Sequence, residues 1–332
     1  MGMTTATAKQ LRGTGERTDA ASRDELICAL VPGSRLKVIG LGGVGCIVLR
    51  FLVIFLRHLD IPLRLVLIDG DDFEPSNMSR MEFQQLGAKA DVKAAEIVDM
   101  LDFSEVGVFP VSEYVNRENI ERLIRSGDHV FLCVDNHATR RLVAEHCAKL
   151  PNVALFSGGN DGVNPPTERG TYGNVQIHIR RDETDWTAPL TKFHPEIRRA
   201  EGELPGGPNC GQLAESIPQI LFANLGVASA MLNAFFAYTC GRLGYQEVQF
   251  DILGSAFVAS VSVAGRRHSA TVACAKIGAY NSVFTQRGKG TQRAFIPAAW
   301  NGCAKIQSVP SESCSRFVCF HASLSRGVFP AK

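Results

Sequence analysis

Residues 35–69 read RLKVIGLGGVGCIVLRFLVIFLRHLDIPLRLVLID. The run from Arg35 to Gly40 is short, apolar and closed by glycine, the pattern of a strand buried on both faces. Cys46 to Leu59 is apolar except for Arg50, Arg57 and His58, and the two arginines, seven apart, leave one polar stripe on a helix. Leu63 to Asp69 is a second apolar run. Strand, glycine-rich join, helix, strand is the opening unit of a parallel sheet.

The alternation continues downstream. The pattern predicts a helix over 92–101, a strand over 107–115, an amphipathic helix over 117–126, a strand over 129–135, a helix over 138–150 and a strand over 153–160. The fold class is therefore α/β: a Rossmann-like, mostly parallel sheet with helices on both faces. Beyond 160 the pattern changes. Residues 170–180 alternate like a strand with one wet face, 181–212 are polar and rich in Pro and Gly, and 217–240 are almost continuously apolar. Two adjacent segments, 245–252 and 255–265, read as paired antiparallel strands that continue the sheet. This gives an N-terminal arm (1–33, with a short helix near Arg23–Leu30), an α/β domain (34–265, with a crossover loop at 181–212) and a tail of unassigned fold (266–332).

Composition narrows the class. The chain has 332 residues, 45% hydrophobic and 20% charged, with a net charge of +2. That balance offers no electrostatic case for nucleic acid or an anionic membrane as partner. The apolar stretch 217–240 is about span length but is interrupted by Gln219, Asn224 and Asn233, so it reads as a buried core helix. The first 26 residues have no apolar h-region and the ten cysteines include no CxxC pair. Free thiols and the cytoplasm are the expectation.

The motifs fall where strands end, which is where such sheets bind ligands. Gly40-Leu-Gly42-Gly43-Val-Gly45 joins a strand to a helix. Glycines permit a sharp turn and close approach of a phosphate, and the helix start adds free N–H groups. Asp69 closes the second strand and suits both ribose hydroxyls. These features alone fit NAD as well as ATP. The segment Asp69-Gly-Asp71-Asp72-Phe-Glu-Pro-Ser76-Asn77-Met-Ser-Arg80 adds Asp71 to the candidate nucleotide site. It also adds Asn77 and the planar cation of Arg80, which a triphosphate requires and NAD does not. As a plain turn, Ser76 or Asn77 would cap the next helix. Lys93, with Lys89 as competitor, can neutralise charge on the α-phosphate and pyrophosphate. Asp135, followed by Asn136 with Arg140 and Arg141 behind, is a natural Mg²⁺ ligand, while the same pair can start a helix.

In this order and at these intervals, Gly40, Gly42, Gly43, Gly45, Asp69, Ser76-Asn77-Met-Ser-Arg80, Lys93 and Asp135 resemble the ThiF/MoeB/ubiquitin-activating superfamily, strongly over about 36–157 and more weakly to 250. The resemblance implies ATP- and Mg²⁺-dependent adenylation of a carboxylate, with release of pyrophosphate. Asp69 would then bind ribose, Asn77, Arg80 and Lys93 the phosphates, and Asp135 the metal. The implied acceptor is the C-terminal glycine of a ubiquitin-like or other small carrier protein, or a peptide carboxylate, and the implied assembly is a homodimer. Cys210, in the crossover loop, occupies the place of a thioester cysteine in some members; the plain alternative is a loop cysteine. The two CxxC pairs of many members are absent, so no structural zinc is expected. The RYxRQ-like segment that carries an arginine into a partner's site is also absent, and Arg12, Arg17 and Arg23 stand as substitutes. Two other readings remain open: an NAD-dependent oxidoreductase, and a non-catalytic nucleotide-binding subunit of a heterodimeric activating enzyme.

Overall fold

A computed structural model describes residues 26–79, 81–164, 168–192, 194–200, 204–205, 219–254 and 256–260. The chain divides into two units, Met1–Cys274 and Ala275–Lys332, and every described residue lies in the first. Arg80, Cys210, the arm up to residue 25 and the tail fall outside the described residues.

The first half is the expected alternation: β1 (Arg35–Ile39), α1 (Gly43–Leu56), β2 (Leu63–Ile68), α2 (Lys89–Val98), β3 (Val106–Val111), α3 (Ile120–Leu123), β4 (Asp128–Leu132), α4 (His137–Cys147) and β5 (Val153–Asn160). The second half adds β6 (Tyr172–Arg181), α5 (Pro195–Arg198), α6 (Leu221–Thr239), β7 (Glu247–Asp251) and β8 (Ala256–Ser260). The sheet order is β8-β7-β6-β5-β4-β1-β2-β3, with a two-residue strand, Thr184–Asp185, paired to β6. From β5 to β3 all pairings are parallel, and β5/β6, β6/β7 and β7/β8 are antiparallel.

After β1 the chain moves outward to β2 and β3, then returns to place β4 on the other side of β1. The carboxyl ends of β1 and β4 are therefore the topological switch point, where a crevice opens. Leu36, Val38, Leu65, Leu67, Phe131, Phe156 and Phe235 are fully buried in the sheet and its cover, which explains why these strands read as unbroken apolar runs. At the opposite edge, the buried Asp128 carboxylate accepts from Arg35 Nε (2.5 Å) and the Arg125 N–H (2.8 Å), tying β1 to β4.

α6 is the one described helix long and apolar enough to cross a membrane. It packs along α1, β5 and β6, burying Ala223, Val227, Met231 and Phe235. The expected helix near Arg23–Leu30 does not form in its described part, 26–30. The Ala29 N–H instead donates to Thr239 O (2.8 Å) and Leu30 is buried in the core, so this segment's bonding is spent on α6. Pro32 further disfavours helix at Val31. The crossover segment begins with more structure than a loop: a turn at Leu190–Lys192 and α5 precede residue 201.

Candidate nucleotide site at the switch point

The four glycines of the β1–α1 join have different jobs. Gly40 lies at φ +88°, and a Cβ there would stand 3.0 Å from the backbone of Cys133 and Val134 after β4. A Cβ on Gly45 would stand 1.8 Å from Gly40 O. These two glycines let α1 seat against β1 and β4. Gly42, by contrast, has nothing within 4 Å of its would-be Cβ. It is the N-cap of α1, no side chain caps that helix, and no acidic residue lies in its first turn. Among the described residues no side-chain cap or first-turn acid offsets the partial positive charge of this helix start.

Asp69 closes this loop from the β2 side. Its Oδ2 accepts from the Leu41 N–H (2.5 Å) and its Oδ1 from the Asp71 N–H (2.9 Å). Burial pushes its carboxyl above the usual range, against the opposing pull of Lys89 and these two N–H groups. Asp71 is engaged by Lys89 Nζ (3.0 Å) and by the Tyr114 hydroxyl, whose ring also packs on Gly70. Lys89 therefore serves the acid pair, while Lys93 points elsewhere. Lys93 Nζ donates to Glu96 Oε2 (2.6 Å) and to Glu82 O, lies 5.5 Å over the Phe73 ring, and lines a groove of about 660 Å³ together with Gly43 and Cys46. A phosphate reaching Lys93 must draw it from Glu96. Asn77 is buried in the turn Pro75–Ser79, where its Oδ1 accepts from the Glu74 N–H (3.2 Å).

Beyond β4, Asn136 is the residue that caps α4, accepting from the Thr139 N–H (2.9 Å). That leaves Asp135 exposed, with no hydrogen bond or ion pair among the described residues. Arg140, one turn into α4, is buried. Its guanidinium donates to Val134 O (2.6 Å), Gly158 O (2.7 Å) and Ser157 Oγ (3.3 Å). Burial holds its pKa below the arginine norm, with Asp135 opposing. Gly159 is required here, since its Cβ would meet Arg140 Nη2 at 2.2 Å. Arg140 thus fixes the ends of β4 and β5 around Asp135, and a helix-face arginine gave little sign of it in sequence. Tyr114, Asn160 and Asn224 were likewise missed, because their partners are 43 and 64 residues away.

Cys46 and Cys133 lie beside the loop, and burial pushes both thiols up to about 12. Cys133 is buried in the core and Cys46 is half-buried against it, and thiols raised in this way are not nucleophiles. Among the described residues, no cluster of three or more His, Cys, Asp or Glu side chains is arranged to hold a metal.

Fold and site together define the class: a doubly wound α/β domain with an uncapped, glycine-rich helix start and a buried acid, Asp69, at the carboxyl edge of its sheet. Residues 30–203, more than half of the chain, match the ThiF family, and the chain belongs to that family. Protein HesA of Leptolyngbya boryana is 29% identical over 144 residues, covering 42% of this chain and 47% of HesA. The chain therefore spans about half the length of that relative. The microcin C7 biosynthetic enzyme MccB, solved in complex with N-formylated MccA, superposes with a TM-score of 0.50 at 14% identity, covering 69% of this chain and 65% of MccB. E. coli MccB with ATP gives a TM-score of 0.49 at 14% identity over 69% of this chain and 64% of that one. The shared element is the fold.

Proposed function

We propose that this chain uses ATP to adenylate a carboxylate. The observation that carries the proposal is the juxtaposition at the switch point: an uncapped α1 start with an open glycine, a ribose-type acid on one side and an unpartnered carboxylate, Asp135, on the other. In this reading Asp69 holds the ribose, Gly42 and Gly43 lie under the phosphates, and Asn77, Arg80 and Lys93 contact phosphate oxygens. A carboxylate oxygen of the acceptor forms a bond to the α-phosphorus, the bond to the bridging oxygen breaks, and pyrophosphate leaves. The acceptor is already ionised at neutral pH, so no general base is needed, and the chain contributes positioning and charge compensation. Asp135 fits a Mg²⁺ ligand, being exposed and free. Since no group of three or more ligating side chains is arranged among the described residues, the ion would be held mostly by the nucleotide and water, its usual manner, and would offset phosphate charge.

The acceptor we favour is the C-terminal carboxylate of a small ubiquitin-like carrier or a peptide. Attack of the Cys210 thiolate on the acyl-adenylate, forming a thioester and releasing AMP, is a proposed second step, checked by a thiol-labile acyl adduct that Cys210→Ser prevents. We also propose a homodimer. Phe51, Met78, Leu221, Phe222 and Leu225 are exposed around the groove that Gly43 and Lys93 line, so a second copy seated there would cover this apolar face and border the phosphate site.

The test is ATP–pyrophosphate exchange with peptides and small carrier proteins carrying free C-termini. Exchange that depends on an acceptor and is abolished by Asp135→Ala is the expected result. Absence of exchange across such a panel, or exchange indifferent to Asp135, overturns the proposal.

A further inference from the structure

The α1 start has a second occupant that neither the adenylation chemistry nor the glycine motif accounts for. Asn224, in the first turn of α6, is fully buried. Its Oδ1 accepts from Asn160 Nδ2 at the end of β5 (2.9 Å), which fixes the amide's orientation. Its Nδ2 has no hydrogen-bond partner among the described residues. That nitrogen is the nearest heavy atom to the point where a Cβ on Gly43 would stand, 2.2 Å away, and Gln219 Oε1 lies 3.3 Å from the same point. Buried side-chain donors are nearly always paired, and leaving one unpaired forfeits as much as a hydrogen bond is worth. This donor lies beside the start of α1, which no side chain among the described residues caps and where an anion is expected.

We propose that Asn224 Nδ2 donates to a phosphoryl oxygen of the bound nucleotide, extending the α1 start into a mixed backbone and side-chain anion site, with Asn160 as the residue that presents it. The glycine at 43 is explained by the same arrangement, because any side chain there would displace the amide. Asn160 and Asn224 are 64 residues apart, on different elements, and meet only when α6 lies across the end of β5. The inference rests on the nucleotide reading and adds a donor to it.

The experiment is equilibrium binding of ATP and of adenosine to the wild-type chain and to Asn224→Ala, Asn224→Asp and Asn160→Ala. A lost hydrogen bond to a charged oxygen corresponds to about a tenfold or greater loss of ATP affinity in Asn224→Ala. Adenosine, which has no phosphate, binds each variant as it binds wild type and so reports an intact fold. Asn224→Asp keeps the shape and the bond to Asn160 but sets an anion against phosphate, so its ATP loss is larger than that of Asn224→Ala. Asn160→Ala gives a smaller loss, again confined to ATP. ATP affinity unchanged in Asn224→Ala and Asn224→Asp overturns this inference and leaves the nucleotide reading standing. Equal losses of ATP and adenosine overturn it too, in favour of a packing role. No ATP binding by the wild-type chain overturns both.

Discussion

Gly42 and Gly45 lie three residues apart in one motif, yet alanine at each tests a different thing. At Gly45 the new methyl falls 1.8 Å from Gly40 O, which is 1.2 Å inside a 3.0 Å approach that real Cβ atoms essentially never make. The obstacle is backbone, and it cannot swing away. Gly40 is anchored by its N–H to Ile68 O (2.9 Å) and confined by Cys133 and Val134. Relief requires α1 to move off β1, so the cost lies at the upper end for overpacking, about 3 kcal/mol. With an m-value of about 3 kcal/mol/M, the urea midpoint of Gly45→Ala falls by about 1 M. At Gly42 nothing lies within 4 Å and φ is −80°, so the fold accepts a methyl. Reduced unfolded-state entropy offsets the slightly poorer N-cap, and stability stays within about 0.5 kcal/mol of wild type. The methyl does, however, stand in the open space over the α1 start, and ATP affinity falls at least about tenfold because the phosphates lose close backbone approach. Urea unfolding and ATP titration on both variants decide the matter. A wild-type midpoint for Gly45→Ala refutes the steric argument, and wild-type ATP affinity for Gly42→Ala refutes the placement of the phosphates.

Three other residues carry expected outcomes of their own. Arg140→Met leaves Val134 O and Gly158 O without their guanidinium donor and costs about 3 kcal/mol, a Tm loss of about 6–12 °C by calorimetry; a loss under about 2 °C contradicts the structural role assigned to Arg140. His129 is held neutral by burial between the Phe235 and Tyr238 rings, so its folded pKa lies below its unfolded value near 6.5. Below that pH the unfolded chain takes up the proton more readily, so stability is lost as pH falls through 6.5. His129→Leu should therefore lose less stability than wild type between pH 7.5 and 5.5 in urea titrations, and equal losses refute the assignment. Phe222→Glu puts a charge on the exposed apolar face, and light scattering should show it monomeric under conditions where the wild-type chain is dimeric.

The parallel half of the fold was legible because its inner strands β1, β4 and β5 are buried on both faces, and burial writes an unbroken apolar run. Element ends were less legible where side chains compete for backbone bonds. The helix expected over 117–126 forms only at Ile120–Leu123. Asn116 Oδ1 accepts the N–H groups of Glu118 and Asn119, and Asn119 Oδ1 accepts that of Asn116, so two asparagines tie the segment into turns before a helix can start. Gly127, at φ +85°, then closes it off from β4. The strand expected over 107–115 stops at Val111, and Tyr114 turns aside to reach Asp71. In the site, the residues readable in sequence were those fixed by local motif: the glycines, Asp69 and Asp135. Arg140 and Asn224 act through partners on other strands and helices, and no local spacing encodes such partners.

The site residues also explain one another. The loop 40–45 is gripped on three sides: by the Asp69 carboxylate on Leu41, by the β4 backbone against Gly40, and by the Asn224 amide against Gly43. None of these grips caps the first turn of α1. A loop so held need not reorganise when an anion arrives, so its dipoles cost no reorientation at binding, which is the condition under which fixed N–H groups stabilise charge most effectively. The same logic separates the two lysines. Lys89 is committed to Asp71, whose backbone N–H in turn binds Asp69, and so maintains the acid's geometry. Lys93 is held by Glu96, an exchangeable partner, and is the cation free to follow a phosphate. Lys89→Met should therefore disturb adenosine and ATP binding alike, whereas Lys93→Met should weaken ATP alone. The reverse pattern, read in the same equilibrium titrations, would exchange their roles.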